Sequence, residues 1–280
     1  MIGQHVTPMT VVPSGLYVTD SSDVTLSNGI VETAQDGTGV PTIRAFSSNL
    51  TVYDTEVRGA HGKSGGYHGS TAASLTNTSM FVAGSHFFGG DGSDGAPFLF
   101  SCGQGGHGGD GLDVMPGPTL PVITLLDTIL EGGDGGSSSG WPPCGPGSDG
   151  VGLHMPTGAP TFLDHDAASL AVSSPVEADQ PLTLAFDGKP GELVVLALSQ
   201  AIGPTIQDEL NGTLIPELAT AHAFLAGAIG PDGTLELGAS IGVAPGSDYH
   251  RIHTQAIHVT PSGEAILGAP ATSLILASVP

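Results

Sequence analysis

The sequence predicts an all-β protein in two parts: a right-handed parallel β-helix over residues 1–172 and an antiparallel β-sandwich over 173–280. Three observations carry that expectation. One short phrase recurs at uneven spacing between Asn49 and Gly152, and a repeat that survives insertions marks stacked coils. The 280 residues include 44 glycines and 22 prolines, which disfavours long helices, yet 39% of the chain is apolar, too much for a disordered linker. Near Ser173-Ser174-Pro175 the glycine runs stop, and longer alternating strands with turn sequences take over.

The phrase reads Leu50-Thr-Val-Tyr-Asp-Thr-Glu-Val-Arg-Gly-Ala-His-Gly62, then Met80-Phe-Val-Ala-Gly-Ser-His-Phe-Phe-Gly-Gly-Asp-Gly92, then Ile123-Thr-Leu-Leu-Asp-Thr-Ile-Leu-Glu-Gly-Gly-Asp-Gly135. Superposed, apolar positions match (Leu50, Met80, Ile123; Val52, Val82, Leu125; Val57, Phe87, Leu130), as do the corners Asp54-Thr55, Gly84-Ser85 and Asp127-Thr128. Corners lie 30 residues apart from Asp54 to Gly84 and 43 apart from Gly84 to Asp127, so loops leaving one fixed corner absorb the difference. Strands of three to five residues with a polar corner after each suit a parallel coil, with rungs about 4.8 Å apart, rather than hairpins.

In chain order, residues 1–20 read as a first strand and turn, with Pro13-Ser14-Gly15 before Leu16-Tyr17-Val18. Val24–Val31 is a weaker copy of the phrase, with Val24 and Leu26 inward and Asn28-Gly29 at the corner. Thr42–Phe46 and Ala73–Leu75 supply short strands between copies, and Val151–Met155 with Pro160–Leu163 make a final degraded rung. In the second part, Leu182–Phe186, Glu192–Leu198, Ala223–Ile229, Thr234–Leu237, Ile252–Val259, Glu264–Leu267 and Leu274–Leu276 read as strands. Gly230-Pro-Asp-Gly233 and Thr260-Pro-Ser-Gly263 read as hairpin turns, and Thr205–Leu210 as a candidate short helix. His250, His253 and His258 fall on one strand, expected at the surface.

The Asp-Thr-x-φ-x-Gly-Gly-x-Gly phrase at 127–135, less complete at 54–62 and 84–92, resembles the glycine-rich, pectate-lyase-like β-helix repeats of large secreted bacterial surface proteins. Pro190–Leu193, Gly230–Thr234 and Thr254–Ala256 resemble the small β-sandwich that often follows such repeats. The resemblance implies architecture and an extracellular, cell-surface location more than any chemistry.

With 27 acidic residues against 5 Lys and Arg, the net charge is −22. No basic stripe is available for a phosphate backbone, so nucleic acid is excluded, and an anionic membrane surface is disfavoured on the same ground. No window reaches 18 unbroken apolar residues, so no membrane span is expected. Met1–Pro8 lacks the basic and apolar regions of a signal peptide. For an extracellular chain, the expectation is that a signal was removed or that this is one piece of a longer polypeptide. The cysteines, Cys102 and Cys144, lie in insertions after consecutive copies of the phrase, where neighbouring loops run side by side. A disulfide between them is expected, closing a loop of roughly 40 residues and contributing about 3–4 kcal/mol. It implies an oxidising compartment.

Candidate chemistry centres on the glycine runs. Gly105–Asp113 fits the calcium-binding nonapeptide G-G-x-G-x-D-x-U-x, with near matches at 89–96 and 144–151. Asp94, Asp110, Asp113, Asp134 and Asp149 are the candidate Ca²⁺ ligands, since glycines let carbonyl oxygens crowd an ion that carboxylates neutralise. Against this, the copies are not in tandem, and glycine equally lets insertions lie flat and stack. His61, His68, His86 and His107 lie in or beside the insertions but lack tight metal-ligand spacing. Trp141 could stack on a sugar or plug the disulfide-tied loop. A polysaccharide-active lyase or hydrolase would draw on Arg44, Arg58, Lys63, Glu56, Glu131 and the corner carboxylates Asp54 and Asp127, which stand roughly 10 Å apart at about 4.8 Å per rung.

The reading reached is a non-catalytic extracellular structural or adhesive surface protein. It is expected to associate with itself, with other surface proteins or with glycans, and to assemble into a filament or array. A polysaccharide-active β-helix enzyme and a glycan-binding adhesin are the alternatives.

Overall fold

The computed structural model describes residues 4–6, 15–21, 24–33, 39–96, 102–115, 117–118, 120–140, 144–163, 166–178, 180–207, 210, 212–243 and 247–277. Among these it is all-β, and the chain folds as two compact units, Met1–Leu163 and Asp164–Pro280.

The first unit contains β1 (Gln4–Val6), β2 (Leu16–Thr19), β3 (Val24–Glu32), β4 (Ile43–Phe46), β5 (Asn49–Arg58), β6 (Ala73–Thr76) and β7 (Ser79–Ala83). After these come β8 (His86–Phe88), β9 (Leu112–Met115), β10 (Ile123–Leu126), β11 (Ile129–Glu131), β12 (Leu153–His154) and β13 (Thr161–Leu163). The chain alternates between two parallel sheets, one ordered β1-β3-β5-β7-β10-β13 and the other β2-β4-β6-β9-β12. Positions aligned in the sequence are partners in space: Leu50 with Met80 and Met80 with Ile123, Val52 with Val82, Val57 with Phe87, Phe87 with Leu130. Their side chains, with Ile43, Leu75 and Leu112 from the second sheet, form one continuous core.

Two columns of corners turn the chain. In the first, Asn28, Asp54, Gly84 and Asp127 all have positive φ (53°, 42°, 57° and 45°). In the second, Asp20, Ser47 and Asn77 do likewise (49°, 46° and 52°). This left-handed region suits Gly, Asn and Asp, which explains the residue type at every corner named except Ser47. A Ser or Thr follows most of them. The hydroxyls of Thr55, Ser85 and Thr128 donate to the carbonyl two residues back, as do those of Ser21, Ser48 and Thr78. The next coil's hydroxyl then accepts the previous coil's N–H, as Ser85 Oγ does from Thr55 N at 3.1 Å and Ser48 Oγ from Ser21 N at 3.1 Å.

The glycine runs form an ordered layer of their own. Outgoing runs 59–66, 89–96 and 132–139 lie parallel, joined by Gly59 N to Phe88 O, Gly62 N to Asp91 O, Gly89 N to Glu131 O, Gly92 N to Asp134 O and Gly95 N to Ser137 O. Return runs 67–72, 103–111 and 144–152 are joined by Gly69 N to His107 O, Ala72 N to Asp110 O, Gly108 N to Ser148 O and Gly111 N to Val151 O. Outgoing and return runs interlock antiparallel through Gly90 N to Ser70 O, Gly109 N to Gly90 O, Gly133 N to Gly109 O and Gly150 N to Gly133 O. Every series advances by three residues, whereas a strand ladder advances by two. Three residues per turn with no internal hydrogen bonds is the polyproline II helix, so the layer is a bundle of such helices.

Packing them this closely excludes a β-carbon. One added at Gly90 would sit 2.0 Å from Ala60 O, and one at Gly109 2.2 Å from Ser70 O. Neither glycine has positive φ, so it is close approach, not backbone freedom, that requires glycine here. The expected Cys102–Cys144 disulfide is present, with Cα atoms 5.5 Å apart, and it joins the starts of two adjacent return runs.

The second unit contains β14 (Ser169–Val172), β15 (Val176–Glu177), β16 (Leu182–Asp187), β17 (Leu193–Ser199), β18 (Ile202–Gln207), β19 (Gly212–Pro216), β20 (His222–Ala228), β21 (Thr234–Ala239), β22 (Tyr249–Val259) and β23 (Ala265–Leu276). Sheets ordered β14-β16-β21 and β15-β23-β22-β17-β20 both feed a core of Leu170, Leu184, Phe186, Val194, Leu196 and Ile252. β14 precedes the composition change at residue 173 yet pairs with β16, so the unit begins earlier than that change suggests. The β22–β23 hairpin forms around Thr260–Gly263 as expected.

Three expectations are corrected. Gly230–Gly233 does turn, but β20 pairs with β17 and β21 with β16, so the turn carries the chain between sheets instead of closing a hairpin. Thr205–Gln207 is strand, because β18 pairs with β19; positions 208 and 209 of the expected helix lie outside the described residues. His253 and His258 are buried rather than superficial: the β18–β19 hairpin packs on the His253 face of β22, where Gln255 bridges to Ile215 N and Thr213 O, whereas His258, register partner of the core residue Val194, lies on the opposite face. His258 Nδ1 lies 3.2 Å from Glu192 Oε2, an imidazole–carboxylate pair enclosed in this unit.

Gly90→Ala should lower stability by about 3 kcal/mol or more, since backbone on both sides blocks relaxation. Gly145→Ala, with open space around it, should stay within about 0.5 kcal/mol of the parent. Thermal unfolding of both variants measures the difference.

Candidate metal centre

The threefold period places side chains on the outer faces of the glycine layer in a grid. Along the return runs and into the strands that follow, steps of three give His68, Thr71 and Ser74, then His107, Asp110 and Asp113, then Ser148, Val151 and His154. The rows continue into the second sheet, where Ser74, Asp113 and His154 are register partners. In several triplets the N–H without a backbone acceptor in the bundle is taken by an outer side chain of a neighbouring run. His107 N donates to His68 Nδ1 at 2.8 Å and Ser148 N to His107 Nδ1 at 2.9 Å, which leaves the two imidazoles stacked with centroids 4.8 Å apart. On the opposite face, Asp91 N donates to His61 Nδ1 at 3.0 Å and Asp134 N to Asp91 Oδ1 at 2.9 Å.

The five aspartates proposed as Ca²⁺ ligands occupy this scheme and do not converge on one point. Asp94 Oδ1 accepts Ser137 N at 2.7 Å, Asp110 Oδ1 accepts Val151 N at 2.9 Å, and Asp149 Oδ1 accepts Gly135 N at 2.8 Å. Asp134 stands next to Asp91 on the outgoing face. Among the described residues, one group has the geometry to hold an ion: Asp110, Asp113 and His154, whose ligand atoms all lie within 4.8 Å of one another. His154 Nδ1 is 2.8 Å from Asp113 Oδ1, and Asp113 is nearly buried while His154 is exposed. Ser74 Oγ sits at 3.5 Å from the other Asp113 oxygen. This Asp-Asp-His cluster could hold a metal ion. The calcium motif contains Asp110 and Asp113 but not His154, whose signal in the sequence is its position three residues after Val151 on the rung beyond Asp113.

The four glycine-run histidines separate. His68 and His107 stack on the return face, whereas His61 and His86 border a groove beside the outgoing runs. Trp141 lies outside the described residues.

Several of the cationic and acidic groups considered for catalysis have structural partners or roles. Arg44 lies over the Phe46 ring, 5.4 Å from its centroid, and Arg58 is paired with Glu56. Asp54 and Asp127 hold corners by backbone conformation. Burial, and then the charge of Asp127, push the Asp54 carboxyl up to about 6. Neither protein-family models nor curated proteins gave a match to this chain.

The Asp54 shift fixes a sign. A carboxyl raised in the folded state stabilises the fold below its unfolded value of 3.8, and that contribution is lost as pH rises through about 6. At pH 7 the ionised group therefore costs stability. Asp54→Asn keeps a side chain suited to positive φ, as Asn28 shows one coil earlier. It should raise stability at pH 7 by about 1–3 kcal/mol and flatten the profile between pH 4 and 6. Denaturant unfolding across pH 4–8 measures both effects.

Proposed function

We propose that this chain is a non-catalytic structural or adhesive protein of an extracellular surface. In this reading the first unit is a right-handed parallel β-helix with a lateral glycine plate, and the second an antiparallel β-sandwich serving as an interaction module. The carrying observation is the interlocked glycine bundle, in which runs are bonded both to their stacked neighbours and to the opposite layer. Such cross-linking makes a stiff platform with two flat faces. The disulfide is compatible with an oxidising, extracellular setting. Among the described residues no helix is long and apolar enough to cross a membrane.

An ion at Asp110, Asp113 and His154 belongs to the same reading. Two carboxylates and an imidazole are the donor set of a zinc-type site more than of calcium, which prefers six to eight oxygens. An ion there would bind the second and third return runs to the coil. Self-association belongs to the same reading, since a strand edge left open at an end of the coil would present unpaired backbone groups to another copy.

Electron microscopy of the purified chain should show rods or regular arrays, and uniformly monomeric particles would count against assembly. Titration with Zn²⁺ should raise the melting temperature of the parent but not of Asp113→Asn or His154→Ala. Equal rises in all three would remove the metal from this reading. Reduction of Cys102–Cys144 should destabilise the protein by about 3–4 kcal/mol.

A further inference from the structure

Where the outer face of β5 and β8 meets the outgoing glycine runs, a groove of about 440 Å³ opens, lined by Glu56, Arg58, His61, His86 and Phe88. Its making is legible in the register. Val57 and Phe87 turn into the core, so their neighbours turn out, and Glu56 pairs with His86 while Arg58 pairs with Phe88 on adjacent rungs. The groove thus presents two rungs of alternating planar and charged groups about 4.8 Å apart. Gly59 and Gly89 continue the strands into the layer, and without side chains they leave the groove's inner edge low and flat. His86 stands edge-on to Phe88, ring centroids 5.8 Å apart at 86°, and Phe88 stays partly exposed. His61 forms the wall, held by its Nδ1 accepting Asp91 N.

Charge decides the ligand class. Arg58 is already paired with Glu56, and Glu32 lies close enough to act on it. Glu131 is Phe88's partner on the far side, and Asp91 faces His61 at 3.2 Å. On a chain of net charge −22, this surround repels anions. Arg58, paired with Glu56 beside the Phe88 ring, offers directional hydrogen bonds more than a free charge, which suits a neutral molecule rich in hydroxyls. A carboxylate beside a guanidinium offers acceptors and donors matched to a vicinal diol, and the partly exposed Phe88 ring offers an apolar face to the C–H side of a sugar.

We propose that this groove binds neutral saccharides, with Arg58 and Glu56 holding hydroxyls and Phe88 with His86 forming the stacking platform. The inference rests on the groove alone and does not depend on assembly or on a metal.

Calorimetry of the full chain against cellohexaose, mannohexaose and galactohexaose, with hexagalacturonate as the acidic counterpart, tests it. At least one neutral hexasaccharide should bind. Phe88→Ala and Arg58→Ala should each weaken that binding by about tenfold or more, whereas Arg44→Ala, on the other sheet, should leave it unchanged. Hexagalacturonate should bind at least about tenfold more weakly, with the gap closing at high salt. Should Phe88→Ala unfold, the exposed Arg58→Ala and Glu56→Gln carry the test. Absence of binding to all three neutral probes, binding indifferent to these substitutions, or preference for hexagalacturonate would each overturn the proposal.

Discussion

The arrangement of the first unit depends on one constraint: backbone carbonyls and N–H groups of neighbouring glycine runs meet where a β-carbon would stand. At Gly90, Gly106, Gly109 and Gly133 the space for that atom is already filled by the carbonyl of another run, at 1.9–2.2 Å. From this follow the threefold period, the restriction of side chains to the two outer faces, and the use of those side chains as acceptors for the remaining N–H groups. The disulfide and the candidate metal cluster are placed by the same lattice. Cys102 and Cys144 begin adjacent return runs, and Asp110, Asp113 and His154 lie where those runs pass into β9 and β12.

Coil and layer solve the same problem with different chemistry. In the coil, apolar side chains fill the interior and rungs pair on its faces. In the layer closely packed glycine backbone takes the place of most apolar filling, and backbone hydrogen bonds run between layers as well as along them. Serine and threonine hydroxyls link the two systems at the corners. Asp54 and Asp127, which look catalytic in isolation, are the acidic members of a corner column that elsewhere uses Asn28 and Gly84.

How far the sequence could be read follows from which forces leave a periodic trace. Leu50, Met80 and Ile123 repeat because they stack in one core, so rung register was recoverable to the residue. Corners were visible for the same reason, since the positive φ there favours the Asn, Asp and Gly that recur at 28, 54, 84 and 127. The glycine layer was legible as stacking but not as a bundle, because a mixture of Gly, Asp, Ser and His hides a period of three unless partner runs are known. The nonapeptide match follows that same period: Asp110 follows Gly109 and accepts Val151 N, Asp94 follows Ser93 and accepts Ser137 N, and of the five candidates Asp110 and Asp113 join the cluster that could hold an ion. Sheet assignment in the second unit was lost at Gly230–Gly233, since a tight turn looks alike whether the next strand returns to its own sheet or crosses to the other.

The threefold lattice has a consequence for how such a chain can change over generations. Deleting or adding one residue within an outgoing or return run would rotate every later position by a third of a turn, swinging Asp or His toward the interior and glycine to the outside. A change of three restores the phase. These runs therefore carry a reading frame at the level of the folded backbone, within which plates can lengthen or shorten by whole turns while the coil beneath them stays the same.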